Sequence, residues 1–224
     1  MLLAQAKLSR ATAAGPRVDK EFCNSVKADI SVRVYHACDP WPRNDLNFRM
    51  NVENSPAGDA SAADEAHLKA LVKFTALSFK TPRPVPFGCL IVDSQSGETL
   101  MRARNAVALE NDPSAHAELR TVRLASKKRK SYSLQGYTLY STCEPCPMCM
   151  ANALWAGLDR VVYGATIEDA NRYCRQIQIP ATEVARRSDM QCIVTGPVLR
   201  ELCNTLFTHP RMLGAFATWA TRKE

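Results

Sequence analysis

Three cysteines recur at every third position in the segment STCEPCPMCMANALWAG, and this run restricts the fold because thiols that share an ion must meet at one point. Cys143, Cys146 and Cys149 fall within seven residues, with a proline in each interval. The chain has nine cysteines in 224 residues, but this crowding differs from the dispersed spacing of a disulfide framework. It favours metal binding in a reducing compartment, by an iron–sulfur cluster, a structural zinc site or half of a catalytic zinc site.

The iron–sulfur interpretation has little support in the sequence. A ferredoxin-type run continues with a cysteine four residues after the third, and that position holds Ala153. A structural zinc site takes four protein ligands, and Cys143 is the obvious additional one. Cys143, however, falls at the end of a predicted strand, before the helix begins, so we expect it to pack rather than to bind metal.

A histidine and a glutamate can supply the other half of a catalytic zinc site. His116 and Glu118 lie in NDPSAHAELR. Asn111, Asp112 and Pro113 predict a helix start there, since Asn and Asp cap helices and proline suits the first turn. The histidine and the glutamate are therefore expected near the N-terminal end of that helix.

The cysteine segment also predicts a helix start. Cys146 and Cys149 are three residues apart and share one face of the first turn, where the helix dipole favours thiolates. Pro147 is tolerated there because first-turn amides lack helical partners. With His116 as third ligand the set is Cys₂His, and the fourth position of a tetrahedral zinc ion stays open, as in catalytic sites. Glu118 is expected to reach that open position.

Strand and helix patterns alternate from about residue 64 onward. The spacing of Leu68, Leu71 and Val72 predicts a first helix, capped by Ser61 or Asp64. The predicted strands are PFGCLIVD, TLMRARNAVAL, YTLYST, RVVYGAT and MQCIVTG, and the later helices are HAELRTVRLASKK, PCPMCMANALWAG, EDANRYCRQI and VLRELCNTLF. The first two strands flank a turn and predict a hairpin. This order predicts a three-layer α/β/α sandwich around a mixed five-stranded sheet.

Composition divides the chain into three parts. Residues 1–60 hold one predicted strand, Ile30–Tyr35, and a polar segment rich in turn residues, so we expect an N-terminal extension of unknown role. Residues 61–213 form the predicted domain, and residues 214–224 form a C-terminal tail. No apolar run reaches the length of a membrane span and the start lacks a secretory pattern, so we expect a cytoplasmic protein without membrane partners.

The net charge of +7 suits solubility and also suits attraction to phosphate-bearing ligands or nucleic acid. The clearest basic cluster is Lys127–Lys130, at the end of a predicted helix. Cations complement the negative end of a helix dipole. We therefore interpret the cluster as a solvated helix end rather than a nucleic-acid patch.

The two halves together, H-x-E followed by P-C-x-x-C, resemble the signature of zinc nucleobase deaminases. The segments PFGCLIVD, ARNAV, NDPSAHAE, LYSTCEPCPMC and RVVYGA are similar to the cytidine/deoxycytidylate deaminase superfamily, nearest in pattern to guanine deaminases and tRNA adenosine deaminases. The resemblance implies a homodimeric hydrolase that replaces an exocyclic amine by oxygen and releases ammonia. It also implies one zinc ion per chain on His116, Cys146 and Cys149, with Glu118 as the proton shuttle.

The resemblance further implies which residues contact the substrate. Asn105 matches a position that hydrogen-bonds the ring or ribose in purine-acting members, with a turn asparagine as the alternative. Trp155 resembles an aromatic residue that lines the base pocket of guanine deaminases, with core packing as the alternative. Phe87 and Gly88 match the pocket floor, and Ala117 is expected at the substrate beside the metal ligands.

The resemblance makes a purine base or nucleoside of the guanine type the expected substrate. Guanine deaminases of this type carry an acidic residue in a C-terminal segment that reads the guanine amine, and the candidates here are Asp169, Glu183 and Asp189. Adenosine in tRNA is the alternative, but the segment after Pro210 lacks the lysine and arginine density that gripping an RNA backbone needs. Cytosine or cytidine as substrate, and a catalytically inactive zinc module, are further alternatives.

Overall fold

The computed structural model describes residues 60–221 of the chain. The predicted strand Ile30–Tyr35, and with it nearly all of the predicted N-terminal extension, lies outside the described residues. No helix within residues 60–221 has both the length and the apolar character needed to cross a bilayer.

Five strands form one mixed sheet. They are β1 (Gly88–Asp93), β2 (Thr99–Arg104), β3 (Tyr137–Cys143), β4 (Arg160–Ala165) and β5 (Ile193–Thr195). Their order across the sheet is β2-β1-β3-β4-β5. The hairpin partner β2 and the central strand β3 both run antiparallel to β1, whereas β3, β4 and β5 run parallel to one another. The predicted hairpin is therefore confirmed.

Helices connect and follow these strands. They are α1 (Ala62–Ala76), α2 (Val107–Glu110), α3 (Ala117–Arg129), α4 (Pro147–Trp155), α5 (Ile167–Asn171), α6 (Ala181–Arg186), α7 (Arg200–Thr208) and α8 (Pro210–Thr221), with a 3₁₀ turn at Leu77–Lys80. Successive strand residues alternate between two cores, as the period of a strand requires. Leu90 and Val162 face α1, α7 and α8, while their neighbours Ile91 and Val161 face α3, α4 and α6. The predicted three-layer sandwich is thus confirmed.

Asp64 attaches the first helix to the sheet. Ser61 caps α1 and Asp64 returns the bond, so the two form a capping box. The Asp64 carboxylate is 1% exposed. It also accepts hydrogen bonds from Tyr140 Oη at 2.8 Å and from both terminal nitrogens of Arg160 at 2.8 and 3.0 Å. The same side chain therefore helps to cap the N-terminus of α1 and joins this helix to β3 and β4.

The predicted helix start at Asn111 is wrong. β2 ends at Arg104 rather than continuing to Leu109, and the short helix α2 follows it. Asn111 then adopts a left-handed conformation with φ of 51° and ends α2. The Asp112 carboxylate accepts a bond from the Ser114 amide at 2.7 Å, which makes a local turn. The long helix α3 begins only at Ala117.

Three further elements differ from the sequence prediction. The helix predicted over EDANRYCRQI ends at Asn171, and α6 was not predicted. The last helix, α8, runs without interruption past residue 213. Its Phe216 is 6% exposed and packs into the same core as α7. Phe216 and Trp219, which we expected in a tail, thus contribute to the packed domain.

Candidate metal centre and cavity

Two helix starts meet at the candidate metal centre. His116 is the N-cap of α3, and Cys146 is the N-cap of α4, with Pro147 as the first helical residue. Neither side chain caps its own helix. Both side chains are therefore free to turn toward a common point, and Cys149 reaches the same point from the first turn of α4.

The three side chains form a triangle of metal-binding size. His116 Nδ1 lies 3.7 Å from Cys146 Sγ and 3.5 Å from Cys149 Sγ, and the two sulfurs are 3.6 Å apart. Zinc–ligand bond lengths place tetrahedral ligands about 3.8 Å apart for two sulfurs and about 3.6 Å apart for sulfur and nitrogen. The donor set and its spacing thus fit one zinc ion, and they leave one tetrahedral position to a fourth ligand.

The thiols and the imidazole perturb one another. The hydrogen bond with Cys149, helped by His116, lowers the pKa of Cys146 to about 4 although burial opposes this shift. The hydrogen bond with Cys146 and burial raise the pKa of Cys149. The hydrogen bond with Cys146 raises the pKa of His116 against the effect of burial. The group therefore favours an anionic sulfur, which a bound cation would compensate.

Glu118 lies beside this triangle without belonging to it. Its side chain is 6% exposed, and Oε1 accepts a hydrogen bond from Ser141 Oγ at 2.9 Å. Its Oε2 lies 3.5 Å from Cys149 Sγ. Burial raises the pKa of Glu118, although the positive charge of His116 opposes the shift. The carboxylate is therefore held next to the metal ligands with a greater proton affinity than an exposed glutamate has.

Cys143 does not join the ligand set. Its Sγ is buried and donates to the Thr166 carbonyl oxygen at 3.6 Å. Burial raises the pKa of its thiol well above the ordinary value, and neighbouring Glu118 adds to the effect. Within residues 60–221 the grouped metal ligands are His116, Cys146 and Cys149 alone.

A cavity of about 1180 Å³ opens beside the metal ligands. His116, Glu118 and Cys146 line it, together with Phe87 and Asn105. The Asn105 side-chain oxygen accepts a bond from the Val107 amide at 3.2 Å, so the residue is both a turn asparagine and a cavity residue. Five of the predicted site residues thus line the cavity, and Cys149 joins them through the ligand triangle.

Two other predicted substrate contacts are placed elsewhere. Trp155 is 64% exposed at the end of α4 and lies outside the residues that line the cavity. Ala117, the first residue of α3, is fully buried and packs in the core between α3 and the sheet. In a single chain, neither side chain contributes to the cavity wall.

None of the three candidates for an acidic reader lines the cavity. Asp169 caps α5 and forms a bidentate pair with Arg200 at 2.7 and 2.9 Å. Glu183 pairs with Arg186 at the end of α6 and with the following Arg187, and Asp189 is exposed. Among the described cavity-lining residues, Glu118 and Glu144 are the carboxylates.

Sequence reasoning missed several residues around the site. Ser141 positions Glu118, and Glu144 lies between the strand and the metal-binding cysteines. Trp219 of α8 lines the cavity from the C-terminal side. A helical pattern of Met212, Phe216 and Trp219 was present in the sequence and could have revealed α8.

Comparisons with known proteins agree with this site. Residues 61–165 match the family described as "Cytidine and deoxycytidylate deaminase zinc-binding region". The chain is 42% identical over 85 residues to guanine deaminase of Bacillus subtilis, a match that covers 38% of this chain and 53% of that relative. It is 30% identical over 149 residues to a probable cytosine deaminase of Schizosaccharomyces pombe, covering 64% and 89% of the two chains.

A tRNA-specific adenosine deaminase of Bacillus subtilis is 32% identical over 145 residues, which is 65% of this chain and 86% of the relative. Among solved structures, guanine deaminase from Nitrosomonas europaea superposes with a TM-score of 0.60 at 21% identity, over 70% of this chain and 88% of the other. That likeness supports the fold. The predicted resemblance is thereby confirmed: the chain belongs to the cytidine and deoxycytidylate deaminase family and is a zinc-dependent hydrolytic deaminase.

Proposed function

We propose that this chain hydrolyses the exocyclic amine of a guanine-type purine, to give the oxo product and ammonia. The observation that carries this proposal is the buried Glu118 carboxylate, held by Ser141 beside the His116, Cys146 and Cys149 triangle and open to the cavity. The match to a guanine deaminase supports the choice of base, although it spans about half of that relative.

In this proposal His116, Cys146 and Cys149 hold one zinc ion per chain. A bound zinc ion would supply the Lewis acidity that makes water nucleophilic near neutral pH. The nearly equal spacing of the three donor atoms supports these assignments. The N-terminal ends of α3 and α4 also stabilise negative charge at this point through their dipoles.

Glu118 moves the protons. It accepts one from the attacking water and passes it to a ring nitrogen while the new carbon–oxygen bond forms. It then carries the second proton to the amine, the carbon–nitrogen bond breaks, and ammonia leaves. A carboxylate that acts first as base and then as acid works best with a pKa near the operating pH, and burial shifts Glu118 in that direction.

Asn105 and Phe87 are proposed to orient the purine. The side-chain oxygen of Asn105 accepts a hydrogen bond from the Val107 backbone amide. The side-chain nitrogen of Asn105 is then available to donate to an acceptor on the base or ribose. The Phe87 ring, half-buried against Phe207, offers an apolar surface for the flat base.

Deamination of adenosine in tRNA is the second candidate. The tRNA-specific relative covers more of the chain than the guanine deaminase does, and this favours keeping the alternative. A panel of guanine, guanosine, adenosine, cytosine and a tRNA stem-loop, assayed by ammonia release, distinguishes the candidates. Ammonia from the stem-loop alone would overturn the small-purine proposal, and ammonia from cytosine alone would overturn both purine proposals.

We also propose a cytoplasmic homodimer. The cysteines within residues 60–221 are free, which suits a reducing compartment. Met148 and Trp155 lie two turns apart on α4 with 38% and 64% of their surfaces exposed, and a second copy would cover them. Light scattering on the purified protein measures the mass directly, and a monomer would contradict this assignment.

A further inference from the structure

The cavity wall is strongly basic. Its arginines are Arg83, Arg102, Arg104, Arg120 and Arg175, and its carboxylates among the described residues are Glu118 and Glu144. Both carboxylates are engaged elsewhere. Glu118 accepts from Ser141, and the two oxygens of Glu144 accept from the Ala181 and Ile167 amides at 2.9 and 3.2 Å. Among the ion pairs formed within residues 60–221, Arg120 is the one cavity arginine that takes part, so most of the positive charge of this wall has no counterion in that part of the chain.

Two of these arginines, Arg102 and Arg104, lie close together beside one aromatic ring. They are two residues apart on β2 and project on the same side of the strand. Their guanidinium carbons lie 4.5 and 5.0 Å from the centre of the Phe74 ring. Their partners across the hairpin are Leu90 and Gly88, which carry no charge.

Neither of these two arginines has an ion-pair partner within residues 60–221, whereas Arg120 pairs with Glu110 at 2.9 Å. Nη1 of Arg104 is buried and has no hydrogen-bond partner in that part of the chain. Two cations beside one aromatic ring repel each other, and an anion bound between them offsets this repulsion. A phosphate group meets this need because its oxygens match the forked donors of arginine.

The size of the cavity agrees with a ligand larger than a free base. Pockets for drug-sized ligands measure about 300–1,000 Å³, and this cavity is about 1180 Å³. It includes His116 and Glu118 as well as Phe74, Arg102 and Arg104. One ligand can therefore contact both groups if a sugar phosphate extends from its base.

We infer that the substrate is a purine that carries a phosphate group, with Arg102 and Arg104 as the phosphate-binding pair and the Glu118 end of the cavity holding the base. This inference rests on the proposed function and specifies the form in which the purine is bound. A nucleoside monophosphate and a nucleic-acid strand share this chemistry, and the experiment separates them.

The first measurement compares kcat/KM for ammonia release from guanine, guanosine, guanosine 5′-monophosphate and a guanosine-containing single-stranded RNA. The zinc-loaded full chain should prefer a phosphate-bearing substrate to guanosine. R102Q and R104Q should each reduce its kcat/KM by about 10- to 100-fold, the value of a charge-assisted hydrogen bond, and leave guanosine nearly unchanged. R187Q removes the same charge from an exposed position outside the cavity and should leave kcat/KM for both substrates unchanged.

A binding measurement separates this inference from the proposed function. Calorimetry of guanosine 5′-monophosphate with E118Q needs no turnover, and affinity should fall in E118Q/R104Q and fall with added salt. Tight RNA binding with weak mononucleotide binding would assign the strand as the source of the phosphate. If no purine is deaminated but the nucleotide binds through the arginines, the proposed function fails, while the assignment of Arg102 and Arg104 as a phosphate-binding pair stands.

The opposite result overturns the inference alone. Equal kcat/KM for guanosine and its monophosphate, unchanged in R102Q and R104Q, would leave the deaminase proposal intact and remove the phosphate site. Circular dichroism confirms that each variant is folded. R104K is the second variant, for use if R104Q is poorly folded. It keeps the positive charge but loses the forked donors of arginine, so it should keep part of the preference for the nucleotide.

Discussion

Glu118 carries a buried carboxylate that is fixed from two directions, by its place in the first turn of α3 and by the Ser141 hydroxyl of β3. Sequence spacing predicted that this glutamate would approach the metal ligands, and the structure places it 3.5 Å from Cys149. The Ser141 contact could not be predicted, because it depends on the register between a strand and a helix that are distant in sequence. The position of the Glu118 carboxylate thus depends on Ser141, a residue outside the sequence motifs.

E118Q should retain zinc and fold while losing most of its turnover. Glutamine has nearly the same shape but cannot carry protons between water, ring and amine, and a positioned acid–base group is worth about 10²- to 10⁴-fold in rate. Ammonia release and zinc content, measured on the same sample, test this. The matched control is E98Q, the same change in the exposed turn between β1 and β2, which should be fully active. Comparable activity in E118Q would refute the assigned role.

C146A should lose nearly all of its zinc, whereas C143A should keep it. Cys146 contributes one corner of the ligand triangle, while Cys143 donates to the Thr166 carbonyl and packs in the core. Zinc content after dialysis, by elemental analysis, gives the answer. Equal loss from both variants would indicate a structural site with three cysteines and would weaken the catalytic assignment.

At the scale of secondary-structure elements, two predicted helix starts show how far a local sequence pattern determines where a helix begins. The sequence predicted a helix start in the cysteine segment, with proline tolerated in the first turn, and α4 does begin at Pro147. The Asn111 start was wrong because the same Asn-Asp-Pro pattern also suits a turn, and a left-handed Asn111 ends α2 instead. The local pattern alone therefore does not decide between a cap and a turn.

D64N should lower the free energy of unfolding at pH 7 by about 2–4 kcal/mol, because it removes one partner from a buried ion pair. Burial alone would raise the pKa of Asp64, but hydrogen bonds from Arg160, Ser61 and Tyr140 hold it below its ordinary value of 3.8. The carboxylate therefore contributes its full stabilisation above about pH 4 and loses it as the pH falls through the lower, folded-state pKa.

Urea unfolding of the wild type and D64N at several pH values tests this prediction. The difference between the two proteins should narrow in strongly acidic solution, and a difference that is constant with pH would contradict the sign. E65Q changes the neighbouring exposed carboxylate, whose pair with Lys69 lies on the surface, and should have little effect.

At the scale of the whole molecule, the C-terminal helix joins the fold to the cavity. Tyr173, Phe207 and Phe216 stack with ring centres 5.5 to 6.4 Å apart, and Phe87 meets Phe207 edge-on. Trp219 continues this series from Phe216 to the cavity wall. The predicted boundary at residue 213 came from composition, which carries no information about such long-range packing.

Two substitutions on α8 should therefore have different effects. F216A should lower the free energy of unfolding by about 3 kcal/mol, since it empties a buried aromatic site. W219A should cost less stability but raise KM, because Trp219 is half-buried and forms part of the cavity wall. L213A truncates an exposed side chain on the same helix and should change neither quantity. Urea unfolding and steady-state kinetics on the three variants measure both effects, and unchanged stability in F216A would mean that α8 does not pack on the domain in solution.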